Sequence, residues 1–204
     1  MKSLSRRQLL GGLAAAGIAG GLNLKPAAAS DYGISRQFEK DDIFAGGPVL
    51  VLTMATVSDS TSDAADAYRG IAKTGIDTFI DSLESDDMYV DNLVDLDFEP
   101  GGDFDAILDN GADRVGWSFE IDTDGVLLTG YMVLAQKSRC VHVWCGIGLS
   151  GVERPFFRIV DRHMKFDAID RSDLGDIVPD ESDLAGYTMT EDEIERIDDS
   201  GGWF

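Results

Sequence analysis

Between Val115 and Leu149 three apolar blocks follow one another with only short polar breaks. VGWSFEI leads through DTDG into VLLTGYMVLA, and QKSR separates that block from CVHVWCGIGL. Breaks this short, one of them carrying Asp124-Gly125, mark consecutive β-hairpins. Strands joined by hairpins are neighbours in one sheet, so the centre of this chain is committed to an antiparallel or mixed sheet.

The flanking segments are read against that sheet. PVLVLTMATV, residues 48–57, is apolar on both alternating faces and predicts a central strand covered on both sides. From about Asp63 to Leu83, Tyr68, Ile71, Ala72, Gly75, Ile76, Phe79, Ile80 and Leu83 recur at three- and four-residue spacing. That is one face of a helix, with Asp66, Arg69, Lys73, Asp77 and Asp81 on the other. Val94, Leu96 and Phe98 alternate with Asp95, Asp97 and Glu99, as in a half-exposed strand. Phe104–Leu108 reads as a single helical turn. Glu153 and Pro155 open a second helix to about Phe166, since the first turn does not need the missing proline N–H. Its inner face is expected from Phe156, Val160, His163 and Met164. The order of elements predicts an α+β fold: a mainly antiparallel sheet with helices over both faces, an α/β/α sandwich, spanning 48–170.

Outside that unit the chain is polar. Residues 30–47 read as an N-terminal arm or a short edge strand. Residues 171–204 read as a loose acidic tail. Within the tail Thr190-Glu191-Asp192-Glu193 resembles a capping box, with Ile194 and Ile197 behind it, and predicts a short helix. Trp203 and Phe204 close this polar stretch and are a candidate partner contact.

Residues 1–29 read as an export signal. Ser5-Arg6-Arg7-Gln8-Leu9-Leu10 resembles the twin-arginine motif, in which Arg6 and Arg7 precede an apolar segment. The apolar run Leu9–Leu24 is Gly- and Ala-rich and falls short of the ~20 apolar residues of a comfortable membrane span. Ala27 and Ala29 form an A-x-A cleavage site before Ser30. The resemblance implies the twin-arginine (Tat) translocase as a partner during export, a secreted or cell-surface location, and no stable membrane span after cleavage.

Charge narrows the partners. Acids outnumber bases 38 to 17, for a net charge of -21. Removing residues 1–29 removes four bases and no acids, which takes the charge to -25. Such a field repels nucleic acid, and it opposes compaction unless salt screens it. The acids recur from Asp31 to Asp199, inside elements as well as in the tail. This distribution resembles that of haloarchaeal proteins, whose surfaces are covered in Asp.

A second resemblance concerns the fold. The early strand and long helix, the hairpin series including GYMVLAQKSRCVHVWCGIGL, and the late helix containing PFFRIV look like the PsbP-like fold. It covers most of 48–170 through element order and hydrophobic pattern. It implies an accessory or binding role, since that family is mostly non-catalytic. The amphipathic strand and aromatic-rich turn that usually open the fold are not recognisable between Ser30 and Gly47.

Several residue groups suggest chemistry that their context opposes. Cys140 and Cys145 lie five residues apart, about 16 Å along a strand at ~3.3 Å per residue. A disulfide needs Cα atoms within ~7 Å. Their odd spacing also places them on opposite faces, so two buried free thiols are expected. The same argument splits Cys140-x-His142-x-x-Cys145, a would-be metal cluster. Gly146-x-Gly148-x-x-Gly151 has the letters of a dinucleotide loop but ends a hairpin series instead of opening a β-α-β unit. The acids Glu120, Asp122 and Asp124 resemble a calcium loop whose twelfth position is Tyr131, not an acid. Ser150 lacks a nucleophile elbow, and no motif positions His142 or His163 for catalysis. The sequence therefore names no catalytic, cofactor or metal residue. It favours an exported, salt-adapted, non-catalytic binding or accessory domain with an unknown extracellular partner. A small extracellular hydrolase with an unidentified site, and an acidic surface protein docking through its C-terminal tail, are the alternatives.

Overall fold

The computed structural model describes residues 32–40, 42, 46–85, 88–108, 111–123, 125–168 and 171–196. Its strands are β1 (Tyr32–Lys40), β2 (Leu50–Val57), β3 (Tyr89–Asp95), β4 (Asp113–Thr123), β5 (Val126–Lys137), β6 (Cys140–Gly148) and β7 (Tyr187–Arg196). The helices are α1 (Thr61–Ser85), α2 (Glu153–His163) and the single turn α3 (Leu174–Ile177). All seven strands form one antiparallel sheet in the order β3-β4-β5-β6-β2-β1-β7.

The hairpin series from Val115 to Leu149 forms β4, β5 and β6, paired in unbroken register. Asp122 Oδ1 accepts the Gly125 N–H at 2.9 Å and closes the first turn. Gly125 has φ +80°, a conformation that only glycine takes without strain. Helix α1 begins where Ser60 Oγ accepts the Asp63 N–H at 3.2 Å, an N-cap that satisfies one orphan donor.

Side chains alternate across the sheet, so register decides what each face buries. On one face Leu50, Leu52 and Met54 of β2 lie opposite Ile147, Cys145 and Val143 of β6. With Trp117, Phe119, Ile121, Leu128, Met132 and Leu134 they pack under Ala64, Ile76, Phe79 and Leu83 of α1. On the other face Val51, Val133, Trp144 and Phe38 pack under Phe156, Phe157 and Val160 of α2. A third cluster there joins Ile34, Ala55, Val57 and Cys140 to Leu174 and Ile177.

Four expectations are corrected. The fold is not an α/β/α sandwich: 43% of the described residues are strand against 27% helix, and helices do not layer both faces. The cause lies in β4. Trp117, Phe119 and Ile121 are buried under α1, whereas the alternating Ser118, Glu120 and Asp122 are polar and reach solvent. A polar half-face gains nothing from a covering helix. On the second face α2 and α3 are joined by irregular chain, including Leu96 and Phe98 over Gly116 of β4, so helices cover only part of it.

Second, Tyr32–Lys40 is neither an arm nor an edge strand. It is an inner strand between β2 and β7, with Ile34 and Phe38 fully buried. Third, the short helix expected at Thr190–Glu193 is β7. Its backbone groups pair with β1, which overrides the local capping signal. The strand absorbs one extra residue, Thr190, where the register shifts between Gln37 and Phe38. Gln37 Nε2 donates to the Thr190 hydroxyl at 3.1 Å there. Helix α2 also stops at His163, short of the expected Phe166.

Candidate functional site

The cysteines and histidines do not converge. Cys145 packs in the cluster under α1, and Cys140 packs on the opposite face against Leu174 and Ile177. Both are free and buried. The Cys140 thiol donates weakly to the Ala168 carbonyl at 3.5 Å, and burial pushes its pKa up to about 11. Burial alone raises Cys145 further. Neither is poised as a thiolate nucleophile.

His142 is fully buried, between Ala55 of β2 and Ala135 of β5. Its ring meets Phe166 edge-on at 4.9 Å. Burial lowers its pKa to about 4, against the opposing pull of the nearby Lys165 backbone, so the ring is neutral at ordinary pH. Neither ring nitrogen makes a well-formed hydrogen bond, nor do the buried Thr53 Oγ1 and Trp144 Nε1 beside it on the same face. These groups form a sealed polar seam, closed to any substrate.

His163 sits half-buried near the end of α2. Burial lowers its pKa, and the Asp183 carboxylate pulls the other way. No described carboxylate hydrogen-bonds it. The glycine series is used in packing. The Phe156 ring occupies the space above Gly146, the Gly47 carbonyl approaches Gly148, and Gly151 turns the chain into α2 at φ +61°. Among the described residues no group of three His, Cys, Asp or Glu side chains is arranged to hold a metal. No described helix is long and apolar enough to cross a membrane. Arg6, Arg7, Ala27, Ala29, Ser30, Trp203 and Phe204 lie outside the described residues.

Among the described residues, a pair of clefts opens to solvent. The first, about 530 Å³, runs along β4 beside Leu96–Glu99 and is rimmed by Asp95, Asp97, Glu99 and Asp113. Its one base, Arg114, is committed to structure. It donates to the backbone carbonyls of Asp105 (2.7 Å), Phe98 (3.2 Å) and Ile107, and lies over the Phe98 ring at 5.3 Å. Arg114 thereby pins the irregular segment 96–108 to the sheet.

The second cleft, about 230 Å³, lies between that pinned segment and α2. Its floor is Phe104, Ile107 and Phe157, with the two rings 4.9 Å apart. Asp103, Glu153, Arg154, Arg158 and Asp161 form the rim. Asp161 Oδ1 accepts the Leu108 N–H at 3.1 Å and fixes the width between loop and helix. Tyr131 borders it, stacked on Phe156 and donating to Glu153 Oε2 at 3.2 Å. Burial first and the Glu153 charge second push the Tyr131 pKa up to about 12, so the hydroxyl stays a donor.

Sequence reasoning singled out none of the rim arginines. Their signal was present: Arg154, Arg158 and Arg162 recur every four residues, which places them along one side of a helix. The floor was not legible, because Phe104 and Ile107 reach Phe157 only through the fold of 96–108.

Compared with known proteins, the chain matches no family model and no curated sequence.

Proposed function

We propose that this chain is an exported, salt-adapted binding or accessory domain that works outside the cytoplasmic membrane. The observation that carries the reading is a division of labour in the structure. Three groups capable of nucleophilic or acid–base work, Cys140, Cys145 and His142, are buried and do not share one face, and the half-buried His163 has no hydrogen bond to a described carboxylate. The solvent-open features are clefts walled by charged side chains and backbone, suited to holding a partner. The element order that resembles the PsbP-like fold points the same way. The twin-arginine resemblance at Arg6-Arg7 and the acidic balance of 38 to 17 support export and salt adaptation.

The test has two parts. Tagged chain is returned to its native cells, and the envelope and medium are searched for it and for bound partners in molar salt. The expected result is a stoichiometric partner outside the membrane, and retention of the chain in the cytoplasm when Arg6 and Arg7 are both changed to Lys. Purified chain is also offered ester, peptide and glycoside substrates. Turnover abolished by a single substitution would replace this reading with a small extracellular hydrolase.

A further inference from the structure

The surface of α2 departs from the rest of the molecule. In a chain with 38 acids and 17 bases, the twelve residues from Arg154 to Lys165 hold four bases and one acid, Asp161. Arg154, Arg158, Arg162 and Lys165 are all exposed. None has an ion-pair partner among the described residues, although acids surround the helix. Phe156, Phe157, Val160 and Met164 face the sheet, so the arginines form an outward ridge. The ridge borders the cleft floored by Phe104, Ile107 and Phe157.

We propose that this ridge and cleft receive an acidic polypeptide segment of a partner protein. One aromatic or large aliphatic side chain fills the cleft, and neighbouring carboxylates pair with Arg154, Arg158 and Arg162. This deepens the binding-domain reading and rests on it.

Three observations choose this occupant. At about 230 Å³ the cleft is below the ~300–1,000 Å³ of small-molecule pockets, but it accepts a single anchoring side chain on an aromatic floor. Arginine forks match carboxylates in bidentate geometry, and such contacts need no long-range field. That matters in strong salt, where charges are screened beyond ~3 Å at 1 M, so the net charge of -21 no longer repels an acidic partner while contact pairs persist. A lipid surface or a polyuronate would bring anionic groups to the arginines without a single apolar side chain to plug the cleft.

The test is a fluorescence anisotropy titration of the full chain in molar KCl. The probe is a labelled synthetic peptide of Asp and Glu with one central Trp. Saturable binding is expected. Replacing the Trp by Ser, or making R154Q/R158Q in the chain, weakens it about tenfold or more. K73Q, which removes an exposed base on α1, leaves it unchanged. The proposal is overturned by an absence of saturable binding, or by equal weakening in K73Q. It is also overturned if phosphatidylglycerol vesicles or polygalacturonate, and not the peptide, respond to R154Q/R158Q. A native partner captured equally well by R154Q/R158Q chain overturns this surface and leaves the binding-domain reading standing. Failure of the unmodified chain to capture any partner removes that broader reading, and the titration still decides this one.

Discussion

The guanidinium of Arg36 meets the carboxylate of Asp192 at 2.8 Å, joining two strands whose paired residues lie 156 positions apart. Arg36 is buried, and its Nη1 also donates to the Pro179 carbonyl at 2.8 Å, with longer contacts to Val178 and Gly175. Asp192 is 43% exposed.

That asymmetry predicts unequal costs. R36A removes several charge-assisted hydrogen bonds and leaves buried carbonyls unpaired, a loss of about 2–4 kcal/mol. D192N removes only a solvent-screened partner and costs less than about 1 kcal/mol. Denaturant melts of both variants in molar KCl measure the difference. Equal destabilisation would contradict the placement of Arg36 beneath the 175–179 segment.

The two thiols are expected to be silent until the fold opens. Native chain should take up almost no alkylating agent, because burial raises both thiol pKa values and blocks access. Denatured chain, treated without reductant, should gain two labels by mass. Failure to label under denaturing conditions would mean that the thiols are already oxidised.

His142 predicts an acid-labile component of stability. Its pKa is about 4 when folded, against 6.5 for an exposed histidine. Between these values the unfolded chain binds a proton that the folded chain refuses. The contribution is therefore complete above pH 6.5, falls as pH drops, and is lost by about pH 4, with a span on the order of 3 kcal/mol. H142L should flatten this part of the curve relative to the parent chain. A parallel pair of curves would mean that the ring is protonated or hydrated within the fold.

Salt should stabilise the chain strongly. Exposed acids such as Asp66, Asp77, Asp81, Asp91, Asp95 and Asp122 occur on several elements, so folding gathers like charge that only screening relieves. The melting temperature is expected to climb steeply as KCl rises to molar concentration. A flat dependence would sink the salt-adapted reading.

Much of the architecture was legible where local pattern and environment agree. The Asp124-Gly125 turn and the Gln136–Arg139 break marked β4, β5 and β6, and three- and four-residue spacing marked α1. The odd spacing of Cys140 and Cys145 placed them on opposite faces without any tertiary information. The misses share a cause. In β7, Thr190–Glu193 carries a genuine local helix signal, and only the distant edge of β1 makes it a strand. In β1, Arg36 interrupts an apolar face and disguises an inner strand, because the carbonyls that satisfy it come from 175–179. The second sheet face looked covered because Val133 and Ala135 are apolar. The alternating Ser118, Glu120 and Asp122 were the contrary signal. The candidate cleft was the least legible feature, since its two walls are separated by the whole of β4, β5 and β6.

The position of β1 between β2 and β7 also constrains how the chain can reach its final form. Within Leu50 to Gly148, β4–β5 and β5–β6 are hairpins that close over short loops. Tyr32, by contrast, lies opposite Arg196. A growing polypeptide can assemble five strands and add β1 to β2 long before β7 exists, and until then β1 is left with a bare flank. Closure of so long a loop is slow, and a bare flank invites pairing with another chain. The charged TEDEIER run would then act as a late, self-supplied bandage: the last strand to emerge covers the flank that has waited longest.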